Sequence, residues 1–176
     1  MHIGEFWYIH NAKLYPPWIF TCYNCTMDTR GLIVNYLSQA KLLQVATSVN
    51  NQPWACTVYF AFDEALNLYW ISKPTRRHSQ ELRENNKVAG TIVLPHAPGD
   101  DVRGIQFQGI AQELTNREDA EKGLTYYAKR FGMDTQRVDN ILDGSDGHVC
   151  YKMSPIMYVL FDEVNFPDDP RQEYHL

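Results

Sequence analysis

Residues 66–94 read LNLYWISKPTRRHSQELRENNKVAGTIVL. Leu68, Tyr69, Trp70 and Ile71 form a β-type run that stops at Ser72-Lys73-Pro74. Thr75 then stands where a helix is expected to begin, and Arg76, Arg77 and His78 follow at once. A short helix over residues 75–86 leads into a second β-type run at 88–94. A strand ending in a hydroxyl, a helix start and two arginines suit a phosphate. The free N–H groups of a first helical turn point outward, and the helix dipole favours an anion there. Guanidinium groups add planar forks that match phosphate oxygens. The structural alternative is a Thr75 cap with solvated arginines. Cations at a helix N-terminus oppose the dipole, at a cost of roughly 0.3 kcal/mol or more. A purely structural helix more often carries Asp or Glu there, so the anion reading is preferred.

Working outward, the flanking sequence is β-rich. Residues 42–49 read as a strand, Asn50-Asn51-Gln52-Pro53 as a turn and residues 54–62 as a second strand. Asp63-Glu64-Ala65 turns the chain into the strand ending at Ser72. After the run at 88–94 comes a Pro-rich loop, 95–103, and a strand over 104–114 in which Gly109 marks a bulge or bend. Thr115-Asn116-Arg117-Glu118 has the form of a capping box, opening a helix with Ala120, Leu124, Tyr127, Ala128 and Phe131 on its apolar face. A shorter helix is expected at 134–142, then closing strands at 149–153 and 157–164 and a polar tail. Upstream, Asp28 or Thr29 caps a helix with Leu32, Ile33, Tyr36, Leu37 and Ala40 on one face. Sequential short strands joined by tight turns predict a mainly β fold: an antiparallel barrel with flanking helices.

Length and composition suit one domain with a real core: 176 residues, 44% hydrophobic and 13% aromatic. A formal net charge of -5 argues against a nucleic-acid partner. No run approaches the ~20 apolar residues of a membrane helix, and no signal-peptide pattern stands at the N-terminus, so a membrane partner is not expected. Four cysteines in this length do not make a disulfide scaffold, which fits a reducing, cytoplasmic setting. Residues 1–26 are crowded with aromatics, lack a period and contain Pro16-Pro17. They are expected to be an N-terminal appendage to a domain spanning 27–176, from translation begun upstream of Met27.

The segments YWISKPTRRHSQEL, NNKVAGTIVL and RGIQFQGIAQEL, in this order of strands, resemble the pyridoxamine 5'-phosphate oxidase-like superfamily of FMN-binding split barrels. The resemblance covers roughly residues 27–166. It is nearer to small, poorly characterised members than to the true vitamin B6 oxidases. It implies FMN as cofactor. Thr57, Val58 and Tyr59 would present backbone to the flavin ring. Trp70, Ile71 and Ser72 would run beside the ring and ribityl chain. Thr75, Arg76, Arg77 and His78 would hold the phosphate. It also implies a homodimer with cofactor at the interface. The glutamine that oxidases carry from the partner subunit falls on Gly104 here, with Gln106 or Gln108 as substitutes. Their C-terminal Arg and His pair is not matched by Arg171 and His175, so pyridoxamine phosphate oxidase activity is not inferred. The expected function is FMN-dependent transfer of hydride from a reduced nicotinamide or small organic substrate. The alternatives are a non-catalytic flavin or haem carrier and a deazaflavin-dependent reductase.

Other candidates carry less. Cys22-Tyr23-Asn24-Cys25 is a single CxxC, short of the two spaced ligand pairs of a zinc ribbon, and no metal is expected. Cys56 and Cys150 read as small core residues. His148, after Gly147 and before a strand, is placed to line a cofactor mouth, although loop histidines usually have no such role. No Ser/His/Asp set, carboxylate pair or Gly-rich nucleotide loop stands out, so catalytic residues are not assigned.

Overall fold

The computed structural model describes residues 28–176, which fold as eight strands and four helices. The CxxC segment and the appendage expected at 1–26 lie outside the described residues. Helix α1 (Thr29–Gln39) starts where the sequence places it, with the Asp28 carboxylate accepting from the Gly31 amide at 2.6 Å. Strand β1 (Leu42–Val49) turns at Asn50 and Asn51 into β2 (Gln52–Tyr59). Both asparagines have positive φ, the requirement of a two-residue hairpin whose twist matches its strands. The turn is thus shorter than expected, and Gln52 and Pro53 already belong to β2.

The long second strand predicted at 54–62 divides at Phe60. Its first part, β2, pairs with β1; its second, β3 (Ala61–Phe62), pairs with β4 (Leu68–Ser72). The sheet order is β2-β1-β5-β6-β7-β4-β3, antiparallel throughout, with β5 at Lys87–Val93 and β6 at Arg103–Glu113. The two ends of the sheet are therefore consecutive in the chain. One backbone stretch bridges both edges, so the sheet must curl. It remains split, because β2 pairs only with β1 and β4 only with β3 and β7. This is the split antiparallel barrel expected from the sequence.

Strand β7 (Val149–Asp162) replaces the two closing strands and the break expected between them. The ladder to β6 slips by one residue between Gln108 and Gly109, which face Met157 and Pro155. Pro155 is tolerated because its missing N–H falls at this bulge. Gly109 is needed opposite: a Cβ there would lie 2.4 Å from the Ser154 carbonyl oxygen. The polar tail contributes an eighth strand, β8 (Arg171–His175), paired to the second half of β7.

Alternation along the strands builds the core. Leu68 and Trp70, with Leu43, Val45, Ile105, Phe107, Tyr151 and Tyr158, fill the barrel, closed by Ile33 and Leu37 of α1. The opposite face of β4 carries Tyr69, covered with Cys150 by helices α3 (Arg117–Phe131) and α4 (Thr135–Leu142). A strand buried on both faces explains the unbroken apolar run at 68–71. Helix α3 is capped by Asn116, accepting from the Asp119 amide, one residue later than the capping box predicts. Among the described residues, no helix is long and apolar enough to cross a membrane.

Candidate functional site

Where β4 ends, a Lys73–Arg76 turn, closed by the Arg76 amide donating to the Lys73 carbonyl at 3.0 Å, leads into α2 (Arg77–Glu84). The helix begins two residues later than expected. Its N-cap is Arg76, not Thr75, and no side chain caps its first turn. Thr75 is an exposed turn residue.

A groove of about 500 Å³ opens between the end of β2 and the end of β4, on the seam where the barrel is split. It is chemically two-ended. Lys73, Arg76, His78 and His148 line it together with Ser72. Leu42, Val58, Tyr59, Ile71 and Tyr127 line it with Thr57. Among the described residues, no carboxylate lines the groove. Because β2 is an edge strand, the backbone groups of alternate residues point away from β1, free for a ligand. Tyr59 is 55% exposed and meets Phe131 edge-on at 5.5 Å between ring centroids, with Tyr127 tilted against the same ring at 4.7 Å.

His78 lies at the cationic end, buried, with Nε2 3.0 Å from the Ser72 hydroxyl oxygen. Burial, and then the Arg76 cation, hold its pKa below the ordinary histidine value. Both favour the neutral imidazole, against the smaller opposing pull of the Glu81 carboxylate. Glu81, one helical turn on, is held below the usual carboxylate range by its hydrogen bond from Thr47 and by Arg77.

Eight of the residues singled out from the sequence meet in the groove: Thr57, Val58, Tyr59, Ile71, Ser72, Arg76, His78 and His148. Three do not. Trp70 is 1% exposed, stacked on Tyr151 at 5.7 Å inside the barrel, because strand alternation turns it opposite to Ile71. Arg77 binds Glu81 at 2.7 Å, one helical turn ahead, and lies 4.4 Å over the Trp54 ring. Thr75 is outside the groove as well. Conversely, Lys73, Leu42 and Tyr127 line it without having been singled out. Lys73 was legible as part of the basic run SKPTRR; Tyr127 reads only as helix core. Gln106, Gln108 and Arg171 line a separate hollow on β5, β6 and β8.

The donor set fits a flavin nucleotide. Lys73 and Arg76, two imidazoles and an uncapped helix start suit a phosphate. The apolar walls and a free strand edge suit a flat heterocycle with a polar rim. Fold and groove together define a split-barrel protein with a lined cleft on its seam. The family model for pyridoxamine 5'-phosphate oxidase matches residues 31–151, and the chain belongs to that family. A UPF0306 protein of Pasteurella multocida is 33% identical over 100 residues, 56% of this chain and 66% of that protein, just under two thirds of its length. Solved structures share the fold at low identity. A conserved hypothetical protein from Mycobacterium tuberculosis aligns with TM-score 0.67 and 16% identity, over 81% of this chain and 89% of that one. A FAD-binding protein from Mesorhizobium loti aligns at 0.51 and 19%, over 71% and 88%. A heme binding protein from Mycobacterium smegmatis aligns at 0.60 and 14%, over 80% and 56%.

Proposed function

We propose that this protein is an FMN-binding flavoprotein acting as an oxidoreductase, which passes hydride between a reduced nicotinamide or small organic donor and the flavin. The observation that carries the reading is the two-ended groove on the barrel seam. Lys73 and Arg76 would neutralise the phosphate, with the Ser72 hydroxyl and the start of α2 as further donors. Val58, Ile71 and Tyr59 would wall the ring, and the free edge of β2 would meet its polar rim. FMN, once bound, supplies a ring nitrogen that accepts and releases hydride. The chain's own task is to orient it and exclude water. A homodimer is part of the proposal. Strand β2 is exposed along most of its length and carries Trp54 and Tyr59, so a second copy seated there would cover both β2 and the groove.

A second reading, a haem or flavin carrier without turnover, has one observation behind it. Two histidines line the groove, and a protein of the same fold binds heme. Against haem, His78 Nε2 is already engaged by the Ser72 hydroxyl, which leaves His148, among the described residues, as the one imidazole in the groove with Nε2 unengaged.

The absorption spectrum of the purified protein is the test. A yellow protein that releases FMN on denaturation and bleaches rapidly with NADH or NADPH is expected. A Soret band, a deazaflavin spectrum, or FMN that no donor reduces would each overturn the oxidoreductase reading in favour of its matching alternative.

A further inference from the structure

We propose that His148 is a fourth basic ligand for the phosphate at the cationic end of the groove, aimed there by Asp146 as a positioning residue. The proposal deepens the flavin-nucleotide reading and rests on it.

Place is the first support. Val149 is the register partner of Ser72, so His148 stands just beyond the β4–β7 ladder, as Lys73 does on the other strand. Both line the groove. The second support is the fixed ring. The Asp146 carboxylate binds His148 Nδ1, accepts the His148 amide at 3.3 Å, and meets Arg137 Nε of α4 at 3.4 Å. With Nδ1 taken, Nε2 is the nitrogen left for a ligand. An imidazole oriented by a carboxylate behind it is the usual way to hold such a ring against a ligand. Burial pushes the Asp146 carboxyl up, but the His148 and Arg137 contacts outweigh it and hold it below the usual range. The ring is thus backed by an anion. Nδ1 would donate to Asp146 on one side and Nε2 to a phosphate oxygen on the other.

The third support is what the arrangement would otherwise leave unused. If this network only braced the 143–148 loop, the bond between Asp146 and Arg137 would suffice, and the ring would have no reason to face a groove that already holds Lys73, Arg76 and His78.

Riboflavin shares the ring and lacks the phosphate, so comparing it with FMN isolates this end of the groove. Fluorescence titrations of the unmodified protein, His148→Asn and Asp146→Asn with each ligand test the proposal. Expected are FMN affinity lowered about tenfold in His148→Asn, the worth of one charge-assisted bond, a smaller loss in Asp146→Asn, and riboflavin affinity unchanged in both. Parallel loss of both ligands, or no loss of either, would overturn it. If the unmodified protein does not prefer FMN to riboflavin, the nucleotide reading itself falls. If it does and both variants keep that preference, only the role of His148 falls. Should His148→Asn fail to fold, His148→Gln and competition by inorganic phosphate against FMN decide instead. Phosphate is expected to compete less well in Asp146→Asn than in the unmodified protein, and equal competition would overturn the proposal.

Discussion

Arg76 and Arg77 are neighbours of identical chemistry, yet the structure sends them to different duties. Arg76, as N-cap, keeps extended backbone and lines the groove. Arg77 takes the first helical position, from which Glu81 is one turn ahead and the Trp54 face is within reach. Arg76→Ala is therefore expected to weaken FMN about ten- to a hundredfold, as one charge-assisted bond is worth roughly 1.5–3 kcal/mol. Arg77→Ala should change FMN affinity far less and lower stability by about 1 kcal/mol, since the guanidinium is half-exposed and screened by solvent while buried Glu81 keeps its bond from Thr47. Flavin fluorescence titration and urea unfolding separate the two outcomes; the reverse order would show that the groove is not the phosphate site. His78 gives a pH signature. Its pKa in the folded chain lies below the ordinary 6.5, so the unfolded chain takes up a proton that the native state refuses. Stability without ligand should therefore fall as pH drops below about 6.5, and His78→Gln should flatten that fall. Melting temperatures of both proteins across this range provide the check, with the fall required to be steeper in the unmodified chain.

At the scale of elements, close approach decides what each strand and helix tolerates. Gly90 of β5 lies where a Cβ would come within 2.1 Å of the Gln44 carbonyl oxygen and 2.3 Å of Phe107 Cζ. A backbone oxygen cannot step aside. Gly90→Ala should lower stability by about 3 kcal/mol, at the upper end of overpacking costs, read as a lower urea midpoint. Arg130 of α3 shows the opposite device, a side chain that finishes another helix. It donates to the Leu37 carbonyl at 2.6 Å and to that of Ala40 at the C-terminal end of α1, with its guanidinium 4.9 Å from the centre of the Phe60 ring. Arg130→Met keeps the apolar stem and removes the donors. It should cost about 2–3 kcal/mol, because the carbonyls it leaves are partly buried. A melting temperature unchanged from the unmodified protein would show that solvent satisfies them.

The whole molecule is a sheet whose two ends are one piece of chain. Breaking the second strand at Phe60 lets β2 and β3 lie on opposite edges, and the seam between β2 and β4 becomes the groove. Proposals at this scale concern assembly and extent. Sedimentation equilibrium should give twice the chain mass. Replacing Trp54 and Tyr59 of β2 with Asp should return a monomer with reduced flavin content; a monomeric unmodified protein would remove the dimer from the reading. A chain begun at Met27 should fold and keep its flavin, because α1 is capped by its own Asp28 and the described core draws on residues beyond it. Loss of folding in that chain would show that residues 1–26 are integral.

The sequence by itself determined the class of fold and the neighbourhood of the site. β-type strand runs, an Asn-Asn turn and a basic turn after an apolar strand are local features, and local physics writes them into adjacent residues. It also showed the caps of α1 and α3 within a residue. What only the tertiary structure decided was which side of each element faces what. Trp70 went to the core and Ile71 to the groove because the barrel closes over the Trp70 face of β4, and Arg77 was held away from the groove because the β1–β2 hairpin brings the Trp54 ring beneath it. Leu42 and Tyr127 joined the groove from β1 and α3, segments whose approach depends on the curl of the whole sheet. Periodicity and caps act over a few residues, whereas a groove on a barrel seam is made by residues up to about a hundred positions apart, and no pattern within one segment records that meeting.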